Sequence, residues 1–309
     1  MSLLRVLRTE ETPERPGPGP LPDALLRALD VQVGRKMEGL LSGDYRSNVL
    51  GIGTELAQVR PYVAGDDVRR IDWNVTARTG EPHVRVHMAE RVLVTWLVLD
   101  TSISMEFGTA DRRKADVAEG VALALGHVAT RRGNRLGVVT FGSEQPRMLP
   151  PRQGRVGLLG LLTALREENA DGKHVPASLG EALRRTSAVA RQRALVVVVS
   201  DFRGPLDWRR DLLAVAGGHD VLAVEVRDPW EEDLPDVGQL WLVDPESGRQ
   251  LRVDTRDRHL RARFAAAATE ERRGLASMFA AIGVRHVVLS TRGDWLRTLA
   301  GFLRKGRAA

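Results

Sequence analysis

The chain reads as an α/β protein: a mostly parallel sheet with helices on both faces, preceded by a smaller module rich in strands and turns. Three observations carry that expectation. Residues 92–99 form a near-continuous apolar and β-branched run, the pattern of a strand buried on both faces of a parallel sheet. Residues 194–200 (Ala-Leu-Val-Val-Val-Val-Ser) form a second such run. Around them, stretches of helical periodicity alternate with further short strands, the order expected of crossover units.

Composition bounds the rest. At 309 residues and 43% hydrophobic content the chain can build one α/β domain with a sizeable attachment. It contains no cysteine, which removes disulfides and thiolate metal sites. No apolar run approaches the roughly 20 residues that span a bilayer. The apolar segment at residues 1–5 is too short for a signal peptide, so a soluble, cytoplasmic protein is expected. The net charge of +6 raises the question of nucleic acid, but 46 basic residues are scattered among 40 acids. Arg69-Arg70, Arg112-Arg113-Lys114, Arg131-Arg132 and Arg209-Arg210 are short, and read as solvated faces. With 5% aromatic residues and none interleaved with these clusters, a stacking platform for single strands is not expected.

Taken in order, residues 1–22 hold Pro13, Pro16, Pro18, Pro20 and Pro22 with Gly17 and Gly19, a leader expected to be disordered. Residues 23–91 form the small N-terminal module. It opens with an amphipathic helix over 23–39 (Leu25, Leu26, Leu29, Val33, Met37) and continues with turn-rich chain and short candidate strands such as 56–63. Residues 83–91 read as extended. The α/β domain spans 92–309. Helices are expected over 112–131, 154–165, 178–193, 208–216, 255–282 and 295–303, and strands over 135–141, 194–200, 220–226 and 284–289. A hairpin insertion near 239–253 turns at Asp244-Pro245-Glu246-Ser247-Gly248.

The chemistry concentrates where the first buried strand ends. Asp100, Ser102 and Ser104 bring three hard oxygen donors onto one loop at the carboxyl end of a strand, where open α/β sheets bind ligands. Small divalent cations prefer such oxygens. Asp201 ends the second buried strand, and the loop Asp171-Gly172-Lys173-His174-Val175-Pro176-Ala177-Ser178 precedes a helix nearby in the order of elements. The blander reading is that Asp100 and Ser102 cap a helix or tie off a turn. Asp66, Asp67 and Asp72 could form a second acidic site, but Arg69 and Arg70 lie between them, and salt bridges and turn capping account for them better. Trp73 reads as a core anchor. His83 and His87 are four apart in an extended segment, about 13 Å from each other, too far to share an ion.

Two aspartates after separate strands, one with paired serines, resemble the metal-site pattern of the von Willebrand factor A fold. The wider sequence resembles the bacterial domain-of-unknown-function 58 family, whose C-terminal half is von Willebrand factor A-like. The matching stretches are Arg60-Pro61-Tyr62-Val63-Ala64-Gly65-Asp66-Asp67-Val68-Arg69-Arg70-Ile71-Asp72-Trp73, then Asp100-Thr101-Ser102-Ile103-Ser104-Met105, then Ser200-Asp201-Phe202. Asp220-Val221-Leu222-Ala223-Val224, Arg227-Asp228-Pro229 and Leu234-Pro235 also match. The resemblance implies a metal-ion-dependent adhesion site for Mg²⁺ or Mn²⁺ with Asp100, Ser102, Ser104, Ser178 and Asp201 as metal residues and an open position for a partner's carboxylate. One departure stands out: the threonine expected on the second loop falls at Ala177, with Ser178 beside it.

The resemblance also implies a non-enzymatic interaction module, a partner or adaptor of a MoxR-type AAA+ ATPase in protein assembly or remodelling, with the ATPase or a client supplying an acidic side chain to the metal. The chain has no Walker-type Gly-x-x-x-x-Gly-Lys-Ser/Thr, so it is not itself the ATPase. The alternative is a Mg²⁺-dependent hydrolase of phosphate esters. Against it, the loop has no second aspartate two residues after Asp100 and no evident acid/base partner.

Overall fold

The structure is a computed structural model. It describes residues 5–6, 15, 17–22, 27, 56–87, 93–130, 134–154, 156–157, 159–161, 178–204, 206–243 and 249–305. The chain divides into two units, Glu38–Val92 and the remainder, Met1–Met37 with Leu93–Ala309. In chain order the strands are β1 (Arg5–Val6), β2 (Leu56–Pro61), β3 (His83–His87), β4 (Val94–Asp100), β5 (Arg135–Phe141), β6 (Met148–Gln153), β7 (Leu195–Ser200), β8 (Asp220–Arg227), β9 (Gln239–Val243), β10 (Gln250–Asp254) and β11 (Arg285–Ser290). The named helices are α1 (Trp73–Thr79), α2 (Lys114–Ala129), α3 (Leu179–Val189), α4 (Arg209–Gly218), α5 (Arg258–Ala281) and α6 (Trp295–Lys305). The helix expected over 23–39 lies, except for Arg27, outside the described residues.

In the smaller unit β2 and β3 pair antiparallel around α1. Its acids are structural, as the salt-bridge and capping account expects. Asp66 grips the Arg60 guanidinium through both oxygens at 2.8 Å, and Asp67 accepts from the Arg69 N–H. Asp72 accepts from Asn74 and Val75 at the start of α1 and pairs with Arg85 at 2.9 Å. Gly80 ends the helix at φ +77°, where a side chain would be strained. Trp73 is not the anchor expected: it is 70% exposed. Asp72, not the indole, fixes this helix start, which leaves the ring free to face solvent.

The larger unit is built on a six-stranded sheet in the order β11-β8-β7-β4-β5-β6. All neighbours are parallel except β5 and β6. Numbered along this domain the order is 3-2-1-4-5-6, a doubly wound sheet whose direction of winding reverses between β4 and β7. All seven residues of β4 and all six of β7 are buried. Their runs are continuous because alternate side chains enter different cores. Leu97 and Leu99 pack with Val121, Leu125 and Leu299, whereas Trp96 and Val98 pack with Leu183, Leu212 and Phe279. Gly137 gives Trp96 room, since a Cβ there would stand 2.7 Å from the indole.

Two expectations need correction. Met148–Gln153, where no strand is expected, forms the antiparallel edge. Pro150 and Pro151 hide it in the sequence: an edge strand tolerates one missing N–H donor on its open side, and the register shift between Leu136 and Val138 takes up the other. The leader expected to be disordered is held at several points: Arg5–Val6 pairs with β9, Arg15 N–H donates to the Asp111 carbonyl, and the Trp295 indole donates to the Pro18 carbonyl at 3.1 Å. The hairpin β9–β10 is formed as expected, its tip at 244–248 lying outside the described residues.

Candidate functional site

The reversal point between β4 and β7 places Asp100 and Asp201 at adjacent strand ends. Thr101 bonds through both its N–H and its hydroxyl to the Phe141 carbonyl, tying the end of β4 to β5. The chain then enters a short 3-10 turn, Ile103–Glu106. Asp100 Oδ1 accepts from Ser102 N–H at 2.9 Å, and Oδ2 accepts from the Ser200 hydroxyl at 2.5 Å. The turn-tying role of Asp100 is therefore present. Ser102, however, makes no side-chain cap; its hydroxyl lies 3.0 Å from that of Ser104. Asp100, Ser102, Ser104 and Asp201 are all buried.

Electrostatics single out Asp100. Burial, reinforced by the nearby Asp201 charge, pushes its carboxyl up to about 7, against the pull of its hydrogen bonds from Ser102 and Ser200. Asp201 goes the other way: burial works against its charge, but Lys114 and Arg203 outweigh it and hold it below the usual carboxylate range. Lys114 is a site residue that the sequence does not single out: a solvated face is expected for Arg112-Arg113-Lys114, yet Lys114 is 0% exposed and Arg112 is buried too. Its ammonium donates to Asp201 Oδ2 at 2.6 Å and to Glu231 Oε1 at 2.7 Å. Burial alone would lower the Lys114 pKa; the two carboxylates raise it instead. A signal was available, since residues 114, 117, 121, 125 and 128 fall on one stripe of α2, and that stripe is the buried one.

Four of the five expected metal residues thus come together. Among the described residues no hydrogen bond links Ser178 to them: it is exposed, accepts from Glu181 N–H at 3.4 Å at the start of α3, and lies beside Phe141 and Gly142. The rest of its loop, 171–177 with His174, lies outside the described residues.

The donors present suit a small hard cation. The Ser102 and Ser104 hydroxyls are hydrogen-bonded to each other at 3.0 Å, a spacing that neighbouring oxygens around octahedral Mg²⁺ would also keep. A buried carboxyl pushed up to about 7 also marks a place that lacks positive charge. Lys114 already compensates Asp201, so Asp201 is the less available of the two aspartates. Among the described residues no group of three or more His, Cys, Asp or Glu could hold a metal, so the site would depend on its hydroxyls.

The family described as "Protein of unknown function DUF58" matches residues 58–274. The chain belongs to the DUF58 family. Among its relatives, the uncharacterized protein Rv1480 of Mycobacterium tuberculosis is 40% identical over 286 residues, 92% of this chain and 89% of that one. A Mycobacterium avium protein, also uncharacterized, is 35% identical over 159 residues, 52% of this chain and 94% of that one. Similar solved structures include BatB from Bacteroides thetaiotaomicron (TM-score 0.45, 14% identity, covering 70% of this chain and 100% of that one). The SpRpn10 VWA domain is another (TM-score 0.38, 12% identity, 70% and 95% covered). With its 3-2-1-4-5-6 strand order, this DUF58 chain has the doubly wound, mostly parallel α/β fold that its sequence predicts. No described helix is long and apolar enough to cross a membrane.

Proposed function

We propose that this DUF58 protein is a non-enzymatic protein-interaction module of the cytoplasm. In this reading a divalent cation, Mg²⁺ or Mn²⁺, is held by Asp100, Ser102 and Ser104 with Asp201 behind them. When bound, the cation supplies a positive centre with an open position for a partner's carboxylate. The observation that carries the proposal is the pairing of a buried, proton-hungry Asp100 with two serine hydroxyls 3.0 Å apart at the sheet's reversal point. Asp100 is oriented by Ser102 N–H and Ser200, and Asp201 by Lys114 and the Arg203 N–H. Ser178, occupied in capping α3, is left out of the ligand set. The proposed partner is a MoxR-type AAA+ ATPase, or a client it remodels, presenting an Asp or Glu.

A phosphate-ester hydrolase has less support. The buried amine beside Asp201, Lys114, is bonded to two carboxylates and is not free to act as acid or base. The test is calorimetric titration of Mg²⁺ and Mn²⁺ into wild type and Asp100→Ala, followed by binding of a purified MoxR-type ATPase with and without chelator. Metal uptake lost in Asp100→Ala and partner binding lost in chelator are expected. Partner binding indifferent to both would overturn the mechanism.

A further inference from the structure

Lys114 is a buried charged group for which the cation reading gives no task. It opens α2, the first helix after the Asp100 loop, and is 0% exposed. Well-packed apolar side chains often replace a buried ion cluster without loss of stability, so packing alone does not call for an ammonium here.

Its two carboxylate partners differ in role. Asp201 ends β7 within the candidate cation site, whereas Glu231 closes the short 3-10 turn Pro229–Glu231 after β8 and is no part of the donor set. Nζ donates to Asp201 Oδ2 at 2.6 Å and to Glu231 Oε1 at 2.7 Å. Asp201 Oδ1 accepts from the Arg203 N–H at 3.0 Å, so protein donors engage both of its oxygens. Glu231 is held in turn by the Asp228 N–H at 3.1 Å, and Arg203 Nε lies 3.5 Å from it. The ammonium is thus fixed in place beside Asp201.

The charges around the site can then be counted. Asp100, Asp201 and Glu231 face Lys114 and the Arg203 guanidinium, three negative charges against two positive ones. Glu271 stands 4.0 Å from Arg203, but its side chain is 46% exposed and solvent screens it. A divalent cation held by Asp100, Ser102 and Ser104 turns the surplus of one negative charge into a surplus of one positive charge. Without Lys114 the loaded site would be neutral, and an arriving carboxylate would meet no net attraction.

We infer that Lys114 sets the charge of the loaded cation site: by compensating Asp201 it weakens the hold on the bare cation and leaves that cation an excess positive charge for an anionic ligand. The inference rests on the cation reading above and adds the residue that makes uptake of the cation and of a partner's carboxylate depend on each other. Lys114 acts through Asp201 and through the field of its charge, which needs no contact with the cation.

The test is calorimetric titration of Mg²⁺ into the full chain, in chloride and in acetate at equal ionic strength, acetate standing in for the partner's side chain. Lys114→Gln keeps a donor for Asp201 and Glu231 and removes the charge; its Mg²⁺ affinity in chloride should rise about 10- to 100-fold. Glu231→Gln should lower that affinity by a similar factor, and the double variant, which conserves net charge, should return to within about 3-fold of wild type. A loosened fold can only weaken uptake, so a purely structural Lys114 would not give the rise. Should Lys114→Gln alone not fold, recovery of affinity from Glu231→Gln to the double variant reads the same effect. Acetate should tighten Mg²⁺ uptake by wild type, and this effect should be lost in Lys114→Gln. An affinity unchanged or weaker in Lys114→Gln, a double variant as weak as Glu231→Gln, or wild-type uptake indifferent to acetate would overturn the inference while the cation reading stands. No uptake of Mg²⁺ by wild type or by any variant overturns the cation reading itself, and this inference with it.

Discussion

Replacing Asp100 by Asn probes the site through stability rather than through any partner. The folded-state carboxyl is raised from 3.8 to about 7, so the protein pays to keep it charged. The sign follows from linkage: the folded form holds the proton more tightly than the unfolded form. The contribution to stability is therefore full below pH 3.8 and is lost as pH rises through 7. About three pK units at 1.36 kcal/mol each give a penalty of about 4 kcal/mol for metal-free wild type above pH 7. Asn has nearly the same shape and no charge, but it fits the donors from Ser102 and Ser200 less well, which costs about 1 kcal/mol or so. About 1.6 kcal/mol of that penalty already applies at pH 5, so metal-free Asp100→Asn is expected to match wild type or exceed it by less than about 1 kcal/mol there. At pH 8 it should exceed wild type by about 3 kcal/mol. Urea denaturation in chelator from pH 5 to 8 measures the difference, and the same series in Mg²⁺ should stabilise wild type but not the variant. A stability difference that stays flat across this pH range in chelator would refute the reasoning, because Asp100 would then titrate as an ordinary carboxyl.

Lys114→Met leaves Asp201 and Glu231 buried without their shared cation and should cost about 3–5 kcal/mol in urea denaturation, with Asp201→Asn in the same chain recovering part of the loss. Trp73→Ala should change stability by no more than about 0.5 kcal/mol, since the ring is 70% exposed. Trp96→Ala, at a ring that is 2% exposed, should cost about 3–5 kcal/mol by the same measurement. Ser178→Ala should lose about 1 kcal/mol of capping and leave Mg²⁺ affinity unchanged; a weaker Mg²⁺ isotherm would return Ser178 to the ligand set.

The sequence by itself determined the class of fold and the first loop of the site. The runs ending at Asp100 and Asp201 are near-continuously apolar because both faces of β4 and β7 are covered, and their short length and β-branched residues mark them as strands. Asp100-x-Ser102-x-Ser104 is local, so its donors share one turn whatever surrounds them. Edge position was not legible: β6 carries two prolines, and its place at the sheet's margin together with the register shift against β5 makes them tolerable. Trp73 was misjudged because residue type favours burial, whereas Asp72 had already anchored the helix start. The leader's proline content hid the acceptor that Pro18 offers Trp295, 277 residues away.

Charge compensation was the part that only tertiary structure decided. Lys114, Asp201 and Glu231 come from three separate elements, and their contacts span 87 and 117 residues. No local spacing encodes a meeting over such distances. The closing of the sheet makes Lys114 a buried counter-ion instead of a surface charge, and leaves Asp100, a neighbour of Asp201, as the acid that still lacks one.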